Sequence, residues 1–83
     1  MNPKVLRLKP CPDYCLEVQF TDGQLRLFDV RPYLTRGVFK ALQDQAVFRT
    51  ARVVAGAVEW AGEIDLSHDT VYLGSTPLAE NPR

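Results

Sequence analysis

The only histidine of the chain lies in E-I-D-L-S-H-D, where Glu63, Asp65, Ser67, His68 and Asp69 crowd together and Tyr72 follows one helical turn later. An imidazole flanked by carboxylates can exchange a proton near neutral pH, which is the chemistry of a general base. Asp65, His68 and Asp69 are also ligand types for a divalent cation. Each member has an equally good structural role. Ser67 is a natural helix N-cap, its hydroxyl placed to accept from amides two or three residues on. Asp69 belongs to a first helical turn, where the helix dipole favours negative charge. His68 takes an exposed first-turn position, and three ligands on one tight turn seldom point at the same ion. The cluster is therefore read as a helix start. No catalytic, cofactor-binding or metal residue is assigned, and a small enzyme using Asp65, His68 and Asp69 ranks last among the functional readings.

Two further groups of residues carry recognition chemistry. Arg31, Arg36, Lys40, Arg49 and Arg52 bracket the middle of the chain, with Tyr33 and Phe39 beside them. If they converge, they can follow a phosphate backbone while Tyr33 stacks on a base; scattered, they are a solvated face. Tyr14, Tyr33, Trp60 and Tyr72 are the side-chain types enriched as anchors of protein interfaces. Cys11 and Cys15, the only cysteines, are four residues apart around Pro12-Asp13. Their spacing is not that of a C-x-x-C redox motif, and two thiolates alone make a poor zinc site. They are expected to be free thiols, with a turn at Cys11-Pro12-Asp13 and Cys15 packed at the start of a strand.

The elements that must position these groups follow from periodicity. Val5, Leu6 and Leu8 among Lys4, Arg7 and Lys9 predict a first short strand. Tyr14, Leu16, Val18 and Phe20 alternate with Cys15, Glu17, Gln19 and Thr21, a clear strand signal, and Asp22-Gly23 turns the chain back. The return strand puts Leu25, Leu27 and Asp29 on one side and Arg26, Phe28 and Val30 on the other, with large apolar groups on both. These three strands are expected to form an antiparallel meander. After Arg31-Pro32-Tyr33 the pattern becomes helical: Val38, Phe39, Leu42 and Ala46 recur at spacings of three and four, and Val47-Phe48 continue the apolar face. A second hairpin follows over Arg52 to Trp60 with its turn at Ala55-Gly56. Ile64 and Leu66 alternate briefly before the Ser67 cap, and Gly74 ends a short helical turn. The expected architecture is α+β: an antiparallel meander plus a second short hairpin, packed against one main helix, with a short C-terminal helical turn. Residues 1–74 are expected to be a single domain and residues 75–83 a disordered tail.

Composition bounds the function. The chain has 83 residues, 46% hydrophobic and 24% charged, with ten basic side chains balancing ten acidic ones. A chain of this length buries roughly 60 to 65% of its unfolded surface, which leaves no room for a deep substrate cavity. Zero net charge gives no general attraction to nucleic acid or to an anionic membrane. No segment approaches the ~20 apolar residues of a membrane span, and the N-terminus has no signal-peptide run. A cytoplasmic location without membrane contact is expected.

F-T-D-G in the first hairpin, F-D-V-R-P-Y-L leading to G-V-F-K-A-L, and then V-E-W-A-G-E-I-D-L-S-H-D-T-V-Y, in this order, resemble the small bacterial domain of unknown function 2442. The resemblance runs from about Val5 to Tyr72. Members usually carry Trp-Pro-Asn-Gly where this chain has Trp60-Ala61-Gly62-Glu63, and Pro is commoner at the position of His68. The resemblance implies an α+β domain with an antiparallel sheet and no established activity. It also implies a genetic setting beside a second small protein, similar to two-gene toxin and antitoxin units. Residues and resemblance together favour a non-enzymatic protein-interaction module, with a small protein partner or self-association, possible service as partner or regulator in such a unit, and no cofactor. The alternative is a nucleic-acid-binding accessory protein.

Overall fold

The computed structural model describes residues 2–78. Strands β1 (Val5–Cys11), β2 (Cys15–Phe20) and β3 (Leu25–Asp29) form the expected antiparallel meander. In β2 the period-two pattern is complete: Leu16, Val18 and Phe20 are wholly buried, while Glu17 is exposed between them. The two turns of the meander each span three residues but are built differently. Phe20 accepts from Gly23 N and donates to Gln24 O, both at 2.9 Å, so that Gly23 (φ 91°) closes a three-residue loop. Asp22 holds it by accepting from Gln24 N at 3.0 Å. The β1–β2 turn has no glycine, and Asp13 (φ 67°) and Tyr14 (φ 61°) take the left-handed conformation themselves. The neighbouring structure enforces this. Val30 N donates to Tyr14 O at 2.9 Å, and the Tyr14 hydroxyl donates to Gln43 O.

Strands β4 (Arg52–Val54), β5 (Ala57–Trp60) and β6 (Ile64–Leu66) form a second antiparallel sheet. Its inward row, Val58, Trp60, Ile64 and Leu66, meets the inward row of the meander in one core. The sheets are also joined at an edge, where Val5 N donates to Gly56 O at 2.9 Å. Helix α2 (His68–Gly74) starts at the Ser67 cap as expected: Ser67 Oγ accepts from Thr70 N at 3.2 Å.

Two expectations are corrected. The single main helix is absent. A 3-10 segment over Gly37–Gln43 is followed by one α-helical turn, α1 (Gln45–Phe48), and Asp44 between them is extended with ψ 117°. The Asp44 carboxylate accepts from Ala46 N at 2.9 Å, so it caps a new turn instead of continuing the old one. Of the predicted apolar face, Leu42, Phe39 and Phe48 pack inward, whereas Val38 is 66% exposed and Ala46 is also exposed. The spacing of three between Phe39 and Leu42 serves a 3-10 segment as well as an α-helix.

The second correction moves the end of the domain. Ser75–Pro77 form strand β7, paired antiparallel to β3 through Phe28↔Ser75, Leu27↔Thr76 and Arg26↔Pro77. The four-stranded sheet thus has the order β1-β2-β3-β7. The unsatisfied edge of β3 supplies the bonding row that the alternation of residues 75–77 alone is too short to announce. Of the expected tail, residues 79–83 lie outside the described residues.

Candidate interaction surface

Most of the side chains singled out for chemistry are engaged inside the fold. Trp60 is fully buried, its ring 6.5 Å from that of Phe48, and it serves the core, not a partner. The Tyr14 ring meets Phe48 edge-on at 5.3 Å. Tyr33 lies between Phe28 at 5.7 Å and Phe39 at 5.5 Å, with the Arg36 guanidinium over its face at 5.4 Å. Tyr72 meets Phe20 edge-on at 5.0 Å and carries Arg26 over its ring at 4.5 Å. These aromatics were read as anchors by their residue type. The structure uses the same amphipathic rings to close a small core.

The acid-base cluster does not assemble. His68 Nε2 is 3.4 Å from Asp69 Oδ1, and Asp69 also accepts from Asn2 Nδ2 at 3.0 Å. Asp65 points outward from β6, paired across the strands with Glu59. Among the described residues no group of three His, Cys, Asp or Glu side chains is arranged to hold a metal ion.

The basic residues divide between pairing and solvent. Arg31 forks onto Asp29, with Nε donating at 3.0 Å and Nη2 at 2.9 Å, and hydrogen bonds from Arg31 hold the Asp29 carboxyl below its ordinary range. Arg52 lies 3.8 Å from Glu59. Arg36, Lys40 and Arg49 are exposed.

The surface left open is one face of the four-stranded sheet. Directly paired residues of an antiparallel sheet share a face, as do residues two apart along a strand. The register therefore places Arg7, Gln19 and Leu25 in one row, Lys9, Glu17, Leu27 and Thr76 in the next, and Cys11, Cys15 and Asp29 in a third. The opposite face carries Leu16, Val18 and Phe28 into the core. On the outer face Leu25 is 49% exposed. It borders a shallow depression of about 210 Å³ with Arg7, Lys9, Glu17 and Gln19. Charges of both signs surround the leucines, with Lys9 directly opposite Glu17. Sequence reasoning placed Leu25 and Leu27 on one side of their strand but did not select them. The signal was a strand with large apolar groups on both faces of a chain too short to cover both.

This arrangement defines a small α+β protein in which two antiparallel sheets close over one core and one sheet face stays open. The chain belongs to the DUF2442 family, described as "Protein of unknown function (DUF2442)", whose model matches residues 5–77. The match begins with the first residue of β1 and ends with the last of β7. No curated protein and no solved structure matches the chain. Among the described residues no helix is long and apolar enough to cross a membrane.

Proposed function

We propose that this chain is a non-enzymatic protein-interaction module that binds a second small protein on the outer face of its four-stranded sheet. The observation that supports this reading is Leu25, half exposed beside Leu27 on a face that no other described element covers. Burying such a strip is worth roughly 25 cal/mol for each Å² of apolar surface removed from water. A protein partner suits the face better than a nucleic acid. Glu17 stands in its middle, the chain carries no net charge, and two of the five candidate phosphate-binding side chains are paired with carboxylates. In its narrower form the proposal makes the chain the partner or regulator in a two-gene unit of the toxin and antitoxin kind, acting in the cytoplasm.

The test compares the tagged wild-type chain with its Leu25→Glu variant in a nuclease-treated lysate of the host, at moderate salt. One small protein retained in stoichiometric amount by the wild type and lost from the variant, with equal melting curves for the two, is the expected result. Equal retention by both chains removes the sheet face as the binding surface. Recovery of nucleic acid alone, with affinity falling steeply as salt rises, replaces the reading by the nucleic-acid one. A wild-type dimer that Leu25→Glu dissociates replaces the second protein by a second copy.

A further inference from the structure

Cys11 and Cys15 are directly paired at the end of the β1–β2 ladder, one on each side of the Pro12-Asp13-Tyr14 turn. Paired positions of an antiparallel ladder have Cα atoms about 4.5 to 5.5 Å apart and side chains on one face. That separation falls inside the window of about 4.4 to 6.8 Å in which a disulfide closes without moving the backbone. Both residues are free thiols and only half buried. Cys11 Sγ contacts Lys9 O at 3.6 Å and Cys15 Sγ contacts Asp13 O at 3.7 Å, weak contacts that are readily exchanged.

The Cys11 thiol lies by Glu17 and Lys9 on the open face of the sheet, in the same row as Cys15.

We infer that Cys11 and Cys15 are a reversible intrachain dithiol–disulfide couple whose oxidant is a small-molecule disulfide. The Cys11 thiolate attacks one sulfur of the small disulfide and expels the first small thiolate. Cys15 then gives up its proton and attacks Cys11 Sγ, expelling the second small thiolate. The protein loses two protons and two electrons, which reduce the small disulfide to two thiols.

The surroundings make the couple slow. Burial raises the Cys11 thiol, helped by Glu17 and opposed by Lys9. Burial likewise raises Cys15, where Asp29 and Asp13 add to the effect and Arg31 opposes it. The thiolate is the attacking species, so exchange accelerates as pH rises. What the bond secures is the turn itself, because Tyr14 holds both Val30 N and Gln43 O.

The test is equilibration of the full chain in mixtures of reduced and oxidised glutathione, quenched by alkylation and read by mass spectrometry. The expected result is a monomer short of two hydrogens that replaces the reduced form as the mixture becomes more oxidising, with a melting temperature about 5 °C or more above it. Over the same range Cys11→Ser and Cys15→Ser each retain one glutathione on the remaining cysteine. Wild-type chain that accumulates bound glutathione with no closed form, remains reduced throughout, or links into covalent dimers overturns the inference.

Discussion

Arg26 Nε donates to Ser75 Oγ at 2.6 Å, and through that contact the last strand is fastened to the middle of the sheet. Arg26 Nη2 also donates to Ser75 O at 2.9 Å, Ser75 Oγ donates to Tyr72 O at 2.7 Å, and Gln24 links Arg26 to the Tyr72 hydroxyl. Ser75 is a buried polar residue, and its hydroxyl both gives and receives a bond. Ser75→Ala removes an acceptor from a charged donor and is expected to cost about 1 to 3 kcal/mol. Urea denaturation should show a lower midpoint with an unchanged slope.

Gly74 ends α2 against the Phe28 ring. A Cβ at this position would stand 2.9 Å from Phe28 Cε1. The backbone of Gly74 is helical, so alanine there is disfavoured by contact alone and not by its torsion angles. Gly74→Ala is expected to destabilise by about 1 to 3 kcal/mol. The double variant with Phe28→Leu should cost less than the sum of the two single changes, and a double-mutant cycle from thermal melts measures the difference.

Trp60 is wholly buried, and among the described residues its Nε1 has no hydrogen-bond partner. An unpaired buried N–H subtracts from the stability that the ring supplies. Trp60→Ala should therefore leave a cavity costing about 3 to 5 kcal/mol, a large share of the roughly 4 to 12 kcal/mol expected of a domain this size. Trp60→Phe removes the unpaired group and keeps most of the ring. It should cost clearly less than Trp60→Ala, as measured by chemical denaturation.

Asp29 sets one limb of the pH dependence. Its pKa is lowered in the folded chain by hydrogen bonds from Arg31. The folded state therefore binds a proton there less readily than the unfolded state. The resulting stability is present above the ordinary carboxylate pKa and is lost as pH falls through the lowered folded value. Both side chains are substantially exposed, at 63% and 41%, so solvent screening keeps the contribution small. Asp29→Asn is expected to be less stable than wild type near neutral pH and to approach it at the acid end. Denaturation midpoints across the acid range check this.

The meander, the second hairpin and the helix start were legible in the sequence for local reasons. Leu16, Val18 and Phe20 alternate over a full strand, Gly23 supplies its turn, and Ser67 precedes a run with helical spacing. The full burial of Trp60 was not legible, because Tyr14, Tyr33, Trp60 and Tyr72 have the same composition signature whether they face a partner or a core. The break at Asp44 escaped for a related reason. A side chain that bonds its own backbone can cap a new turn or sit within a helix, and which one occurs depends on how Phe39, Leu42 and Phe48 reach the sheet.

The sequence by itself determined the strands before Ser67, most of the turns and the inward rows, because side-chain alternation and turn chemistry act between residues close along the chain. Tertiary structure decided which side of β3 stays open and that Ser75–Pro77 are a strand. It also brought Cys11 level with Cys15 and placed Arg26 on Ser75. These are matters of register and coverage. They depend on which surface a short chain has enough material to bury, and that is settled only when all its elements compete for one core.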